Sequence, residues 1–176
     1  MTDADINARF AQVRLISLDC DGVMTDGGLY YGPAGDEMRR FHVRDGVGIK
    51  ALINAGVAVA FVTASRTPAI TARAQALGVR HCLVGVETKL AAITELGREL
   101  SIRLDEIAHM GDDENDLEVL RAVGLAMTVA DAIPEVLKAA AYVTRRRGGD
   151  GAVREMAEQL LAARRRSIAA NPPDRS

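Results

Sequence analysis

The chain has 176 residues, 48% of them hydrophobic, which is enough to bury the core of one domain. Its net charge of −2 does not favour nucleic acid or an anionic membrane as a partner. No apolar stretch approaches the roughly 20 residues that cross a bilayer, and the first residues lack the order of a signal peptide. We therefore expect a cytoplasmic protein whose two cysteines, Cys20 and Cys82, are reduced core residues.

Short apolar runs alternate with helix-like segments along most of the chain. The runs predict strands over residues 13–18, 57–63, 81–84, 107–110 and 124–129. Apolar spacing near 3.6 residues predicts helices over residues 46–55, 68–77, 88–100, 115–122 and 132–140. This alternation is typical of an α/β fold with a doubly wound parallel sheet, in which ligands bind beyond the carboxyl ends of the strands.

Two segments depart from the alternation. Residues 28–43 contain two β-like runs around a Gly/Pro turn, which predicts a hairpin that protrudes from the edge of the sheet. The sequence GGDG at residues 148–151 precedes a predicted helix over residues 152–163, and residues 171–176 are expected to be a frayed tail. We expect residues 1–176 to form a single domain, with the C-terminal helix and tail over residues 152–176.

Asp19 and Asp21 follow the first predicted strand, with Gly22 directly after them. Alternate residues at a strand end can direct two carboxyls at one pocket, and glycine allows a close backbone approach. One carboxylate could attack phosphorus while the other, when protonated, donates to the leaving oxygen. Taken alone, these residues fit a polar turn better.

The sequence GDDEND at residues 111–116 places four acidic side chains directly after another predicted strand. Carboxylates this close together are costly unless a cation lies among them. Oxygen ligands without a set of His or Cys favour Mg²⁺ over zinc. The alternative is an acidic first turn of a helix, which accounts for one or two of the four carboxylates.

Two further residues extend the pattern. Thr63 ends the second predicted strand, and its hydroxyl and the amides of Ala64 and Ser65 could hold phosphate oxygens, although a simple helix cap also explains it. Lys89 lies at the start of a helix, where a cation is unusual and could bind an anion, although a lone surface lysine is commoner. In chain order the series is DxD, Thr, Lys and GDDxxD.

This series, over residues 15–129, resembles the haloacid dehalogenase superfamily of phosphatases. The resemblance implies that Asp19 is a nucleophile that forms an aspartyl-phosphate, and that Asp21 is the general acid and then the base. It implies that Thr63 and Lys89 bind the transferred phosphoryl group. It also implies a Mg²⁺ ion held by Asp19, Asp112 and the main-chain carbonyl of Asp21.

The same resemblance assigns supporting positions. Asp116 would orient Lys89 or a metal-bound water, and Asp113 would lie behind the ligands or contact the substrate. The intervals before and after Thr63 are too short to hold an inserted cap domain. We therefore expect an uncapped core whose site a neighbouring subunit covers, because excluding water strengthens electrostatic contacts.

A narrower resemblance covers residues 15–161. The stretches DGVMTDGGLYY, FHVRDGVGIKAL, GVETKL, GDDENDLEVL, VADAIPEV and GGDGAVREM are similar to the 3-deoxy-D-manno-octulosonate 8-phosphate phosphatases and to the related nonulosonate 9-phosphate phosphatases. This implies a small phosphorylated sugar acid as substrate, a place in lipopolysaccharide synthesis, and a homotetramer whose hairpins help cover adjacent active sites.

One departure affects the expected substrate contacts. The family follows the threonine with Gly-Arg, whereas this chain reads Thr63-Ala64-Ser65-Arg66. Arg66, one position later, is the candidate replacement for the missing arginine. The expected substrate-binding residues are Gly22, Thr63, Ala64, Ser65, Arg66 and Lys89. A phosphatase for another small metabolite and a non-catalytic binding homologue remain alternatives, although the retained acidic residues and Lys89 argue against the second.

The three histidines are not placed in the predicted site. His42 lies in the hairpin and could contact substrate across subunits, although an exposed polar position is favoured. His81 and His109 are interpreted as residues at the edge of the core.

Overall fold

The computed structural model describes residues 2–170 and contains one six-stranded sheet flanked by helices. The strands are Leu15–Leu18 (β1), Tyr30–Tyr31 (β2), Glu37–Met38 (β3), Ala58–Thr63 (β4), His81–Val84 (β5), Ile107–Met110 (β6), Leu125–Thr128 (β7) and Tyr142–Val143 (β8). The α-helices are Asp3–Gln12 (α1), Val43–Asn54 (α2), Pro68–Leu77 (α3), Lys89–Leu100 (α4), Leu117–Ala122 (α5), Pro134–Ala139 (α6) and Ala152–Ala170 (α7). Two short 3₁₀ helices cover Leu104–Glu106 and Glu114–Asp116.

The main sheet is parallel throughout and has the strand order β5-β4-β1-β6-β7-β8. The chain first builds outwards from β1 through β4 to β5, and it then crosses back to place β6 on the other side of β1. Strand order reverses at this point, and open sheets of this type bind ligands beside such a reversal. The predicted fold class is therefore confirmed.

Both faces of the sheet are covered by apolar side chains. On one face, Ile16 and Leu18 of β1 belong to a cluster that α1, α2 and α7 complete. On the other face, Leu15 packs in a second cluster with Ile93 of α4 and Val119 of α5. Strands that are buried on both faces read as continuous apolar runs, which is why the sequence reveals them.

The five predicted strands are present, with ends that differ from the predicted ends by no more than two residues. The structure adds α1 and the edge strand β8, neither of which was predicted. The final helix continues to Ala170, seven residues beyond its predicted end at residue 163. The predicted frayed tail at residues 171–176 lies outside the described residues. No helix in the described part of the chain is both long and apolar enough to span a membrane.

The predicted hairpin is present but has short strands, since β2 and β3 contain two residues each. An isolated bridge between Thr25 and Phe41 closes its base. His42 then caps α2, because its Nδ1 atom accepts a hydrogen bond from the Arg44 amide at 3.2 Å. Its side chain is 21% exposed, so it is less exposed than the sequence interpretation had it. Within residues 2–170, the intervals on either side of Thr63 contain no inserted cap domain.

The GGDG segment ties the start of α7 to the loop that follows β1. The Gly149 amide donates to the Val23 carbonyl at 3.0 Å, and Gly148 approaches the Gly22 carbonyl so closely that a Cβ there would overlap it. The buried Asp45 carboxylate accepts from the amides of Gly151 and Arg154 at 3.2 and 2.8 Å. The C-terminal helix is therefore fixed against the loop that carries Asp21.

Candidate active site

The predicted chemical residues converge at the carboxyl ends of β1, β4 and β6. Asp19 follows β1, Thr63 ends β4, and Asp112 follows β6 after one glycine. These strands are parallel neighbours, so their ends lie at one edge of the sheet. A small cavity of about 140 Å³ opens there, lined by Asp19, Asp21, Thr63, Ala64, Ser65, Asp112, Asp113 and Asn115.

Asp19 lies at the floor of this cavity with both carboxylate oxygens engaged. Its Oδ1 accepts from the Cys20 amide at 2.7 Å, and its Oδ2 lies 2.9 Å from the Lys89 ammonium. Burial and the neighbouring Asp116 raise the pKa of Asp19 to about 6, although Lys89 opposes the rise. Cys20 itself is fully buried and points away into the core, as predicted.

Asp112 lies beside Asp19 without a matching cation from the protein. Burial, followed by the charges of Asp19, Asp116 and Asp113, raises its pKa to about 7. Its Oδ1 atom is buried and has no hydrogen-bond partner.

Gly22 allows this carboxylate to approach the backbone. Its φ angle is +82°, and a Cβ at this position would overlap the Asp112 side chain. Any larger residue at position 22 would therefore displace the Asp112 carboxylate, which packs against the Gly22 backbone.

These features fit a divalent cation. Carboxylate oxygens of Asp19, Asp112 and Asp116 all lie within 4.8 Å of one another. A cation among them would supply the partner that the Asp112 oxygen lacks, and it would offset both the burial of the charges and the repulsion that raise the pKa values of Asp19 and Asp112. The donor set is all oxygen, as hard cations prefer.

Asp116 differs from the other two because its oxygens are already occupied. Oδ1 accepts from Lys89 Nζ at 2.7 Å and His109 Nε2 at 2.8 Å, and Oδ2 accepts from the amides of Asp112 and Asp113 at 3.1 and 3.3 Å. Burial opposes ionisation, but hydrogen bonds from His109 and Lys89 hold the pKa of Asp116 well below its usual range. Asp116 therefore fixes Lys89 and the acidic loop, and it has little capacity left for a cation.

Lys89 is a buried cation whose side chain is only 1% exposed. Burial alone would lower the pKa of Lys89, but the carboxylates of Asp19 and Asp116 raise it above its ordinary value. Its ammonium is therefore charged at neutral pH, directly beside the Asp19 oxygen. The alternative of a lone surface lysine was wrong.

His109 is a part of the site that the sequence interpretation missed. It is fully buried, and besides its contact with Asp116 its Nδ1 lies 3.1 Å from the Ser17 hydroxyl. Ser17 and His109 are register partners on β1 and β6. Two polar residues in strands that are otherwise apolar were the signal that could have revealed this pair.

The loop after β4 lines the cavity, but the Ser65 amide, which was expected to hold a phosphate oxygen, donates instead to the Thr63 hydroxyl. Thr63 is buried and its hydroxyl accepts from the Ser65 amide at 3.1 Å, while Ala64 and Ser65 line the cavity. Arg66 is exposed and its guanidinium lies against Gly85, so the structure does not bring it to the cavity wall.

The hairpin also reaches the site through a residue that the sequence did not single out. Arg39 Nε donates to Asp21 Oδ1 at 2.6 Å, and its Nη1 lies 2.8 Å from Glu37 Oε1. The Arg39 side chain is 4% exposed, and that of Asp21 is 32% exposed. Asp21 therefore lines the cavity while its carboxylate accepts a hydrogen bond from the buried Arg39 side chain.

A larger groove of about 1,110 Å³ lies elsewhere, between α1, α2, β8 and α7. It contains none of the predicted site residues, and its size alone does not make it the reactive site. The smaller cavity gathers the carboxylates, the buried lysine and the shifted pKa values, which are the features of a chemical centre.

Comparison with known proteins agrees with this geometry. The family model for haloacid dehalogenase-like hydrolases matches residues 86–156. The chain is 44% identical over 159 residues to the 3-deoxy-D-manno-octulosonate 8-phosphate phosphatase KdsC of Yersinia pestis, covering 90% of this chain and 85% of that protein. It is 41% identical over 160 residues to KdsC of Escherichia coli K12, covering 91% and 85% of the two chains.

The chain belongs to the KdsC family of haloacid dehalogenase-like phosphatases. It is therefore a phosphoric monoester hydrolase, as predicted. The crystal structure of a family member from Moraxella catarrhalis, in complex with a magnesium ion, a phosphate ion and a KDO molecule, superimposes with a TM-score of 0.91. That match has 32% identity and covers 96% of this chain and 99% of the other.

Proposed function

We propose that this phosphatase removes the phosphate of 3-deoxy-D-manno-octulosonate 8-phosphate with the help of Mg²⁺. The observation that carries the proposal is the convergence of Asp19, Asp112 and Lys89 at one edge of the sheet. The names of the relatives support the sugar acid as substrate. The magnesium and phosphate ions in the Moraxella structure support the metal and the phosphate group. This reaction belongs to lipopolysaccharide synthesis.

The carboxylates would hold the ion. Asp19, Asp112 and the main-chain carbonyl of Asp21 are its proposed ligands, since the Asp112 oxygen lacks a partner and the Asp116 oxygens do not. When bound, Mg²⁺ offsets negative charge on the carboxylate and on the phosphoryl oxygens. Asp113 also lines the cavity. It would either support the metal ligands without binding the ion itself or contact the substrate.

The reaction would proceed in two steps. The Asp19 carboxylate attacks phosphorus, the bond to the sugar oxygen breaks, and that oxygen takes a proton from Asp21. Water then attacks the phosphorus of the aspartyl-phosphate and gives its proton to Asp21. This step breaks the bond between phosphorus and the Asp19 oxygen, regenerates the Asp19 carboxylate and releases phosphate. Lys89 stays charged beside the attacking oxygen and stabilises the phosphoryl group as it moves.

The loop after β4 would hold the phosphoryl oxygens. The Ser65 amide already donates to the Thr63 hydroxyl, and Thr63, Ala64 and Ser65 all line the cavity. With Gly22 and Lys89 these residues form the proposed phosphate cradle. Arg66 would reach the substrate only after leaving its position against Gly85.

The position of Ser65 favours a second class of substrate, a nonulosonate 9-phosphate or another small phosphorylated metabolite. Ser65 lies on the cavity wall where the family expectation was an arginine, so no cation from this position meets the substrate's carboxylate. The reaction chemistry would be the same, and only the part of the substrate that carries the phosphate would differ.

We further propose a cytoplasmic homotetramer in which residues 1–176 form one domain. Leu29, Tyr30, Tyr31 and Met38 of the hairpin are each about half exposed or more. Exposed apolar side chains gathered on one projection are typical of a protein interface. A neighbouring hairpin packed there would cover the open cavity.

A panel of phosphorylated metabolites, assayed for phosphate release with Mg²⁺ and with chelator, tests the proposal. We expect turnover of the octulosonate phosphate with Mg²⁺ and none with chelator. Preference for a nonulosonate phosphate would support the second candidate. Absence of turnover on every member would indicate a non-catalytic homologue and refute the proposal.

A further inference from the structure

The hairpin places one buried charged side chain against the active site. Arg39 reaches Asp21 with two nitrogens, Nε at 2.6 Å from Oδ1 and Nη2 at 3.4 Å from Oδ2. Its third nitrogen, Nη1, lies 2.8 Å from Glu37 on the same hairpin. All three guanidinium nitrogens are thus engaged, and the side chain is 4% exposed.

A guanidinium keeps its charge at any pH at which a protein is folded, so Arg39 cannot itself supply or take a proton. What it can do is fix a carboxylate. A buried, planar fork restricts both the position and the rotation of its partner far more than an exposed ion pair does.

The two contacts with Asp21 are unequal. The Oδ1 contact is short, as expected for a charge-assisted hydrogen bond, whereas the Oδ2 contact is 3.4 Å long. A proton on Oδ2 would therefore sacrifice only the weaker contact and leave the carboxyl held through Oδ1.

We propose that Arg39 is a positioning residue that anchors Asp21 through Oδ1 and leaves Oδ2 as the oxygen that exchanges the proton with the leaving group. The inference rests on the proposed function, in which Asp21 is the acid and base. On this proposal the hairpin positions the acid of its own subunit, in addition to any cover that it gives a neighbouring site. Glu37 holds the guanidinium from the hairpin side, so a shift of the hairpin would displace the acid.

The test uses the leaving group. A sugar phosphate expels an alkoxide that needs a proton from Asp21, whereas p-nitrophenyl phosphate expels a stable anion that does not. The quantity to compare is kcat/KM, because it covers the steps up to phosphoryl transfer and leaves out hydrolysis of the aspartyl-phosphate. General acids contribute typically 10²–10⁴-fold, and a misplaced group loses part of that.

We expect R39M to lower kcat/KM for the sugar phosphate roughly 10–100-fold, and for p-nitrophenyl phosphate less than about threefold. The matched control is R40M, the next residue of the hairpin, whose half-exposed side chain donates to Asp26 and to the Gly149 carbonyl and makes no contact with Asp21. This control should leave both values unchanged. Thermal unfolding and light scattering of both variants report on fold and assembly, and R39Q serves if R39M does not fold.

A double-mutant cycle separates positioning from a general structural effect. In a D21N background, R39M should lower kcat/KM for the sugar phosphate no further, since the group on which it acts is gone. Equal losses on the two substrates, or a full additional loss in D21N, would overturn the role of Arg39 while leaving the phosphatase intact. A wild-type protein inactive on both substrates would instead refute the proposed function.

Discussion

Replacing Asp112 by Asn should stabilise the metal-free protein, although it removes a proposed ligand. In the metal-free state Asp112 is a partly buried carboxyl with a pKa of about 7, and its buried Oδ1 atom has no hydrogen-bond partner. A raised carboxyl pKa means that the folded state prefers the neutral form. The free energy of unfolding therefore falls as the pH rises from about 4 to about 7 and is constant above that.

The size of the effect follows from the shift. A rise from 3.8 to about 7 corresponds to about 4 kcal/mol as an upper bound, at about 1.4 kcal/mol for each pKa unit. The neighbouring Asp19 also has a raised pKa, of about 6, and it stays in place in the variant. The D112N substitution therefore removes only part of the unfavourable free energy of the two carboxylates. We expect about 2 kcal/mol, which is an increase of about 4–8 °C in Tm for a chain of this size.

The assay is thermal unfolding of D112N and wild type with chelator and with Mg²⁺, at pH 8 and pH 4. With chelator D112N should be the more stable at pH 8, and the difference should vanish at pH 4, where Asp112 is protonated in the wild type. Saturating Mg²⁺ should reverse the order at pH 8, because an ion at 100 times its Kd adds about 2.7 kcal/mol to the wild type. E114Q, an exposed change of the same charge nearby, is the control. A D112N protein that is less stable than wild type with chelator would refute the reasoning.

Two further substitutions and one measurement of assembly test the rest of the proposal. D19N should lower turnover on the order of 10⁴-fold or more while leaving the Tm within a few degrees of wild type, and surviving activity would exclude Asp19 as nucleophile. K89M should abolish activity and also cost about 3–5 kcal/mol in urea unfolding, because it leaves Asp19 and Asp116 without their buried cation, and an unchanged midpoint would contradict the ion pairs. Light scattering should give four times the monomer mass, and a monomer would remove the proposed cover.

The site could be located from the sequence because its residues follow apolar runs. Asp19, Thr63 and Asp112 each come at or just after a strand that the pattern predicts, and the carboxyl ends of parallel strands meet by geometry. The family resemblance then supplied roles for them. Those roles remain proposals, whereas the convergence itself is observed.

The supporting residues were harder to predict for a physical reason. Arg39 and His109 act through partners that are distant in sequence, and no periodicity marks such a pair. The helix α1 and the strand β8 were missed because their apolar signal is weak and packing against the sheet stabilises them.

The amino-acid order by itself determined the parallel α/β sheet and the position of its chemical edge, because each depends on local periodicity or on residues that adjoin strand ends. Its motifs also carry the family resemblance, which implied the class of reaction. Only the tertiary structure decided which carboxylates are free for a cation and which are occupied. It buried Lys89 between two aspartates, filled the acceptors of Asp116 and left Asp112 without a donor. Charge and hydrogen-bond capacity are properties of neighbours in space, so identical acidic residues in one short loop acquired different tasks.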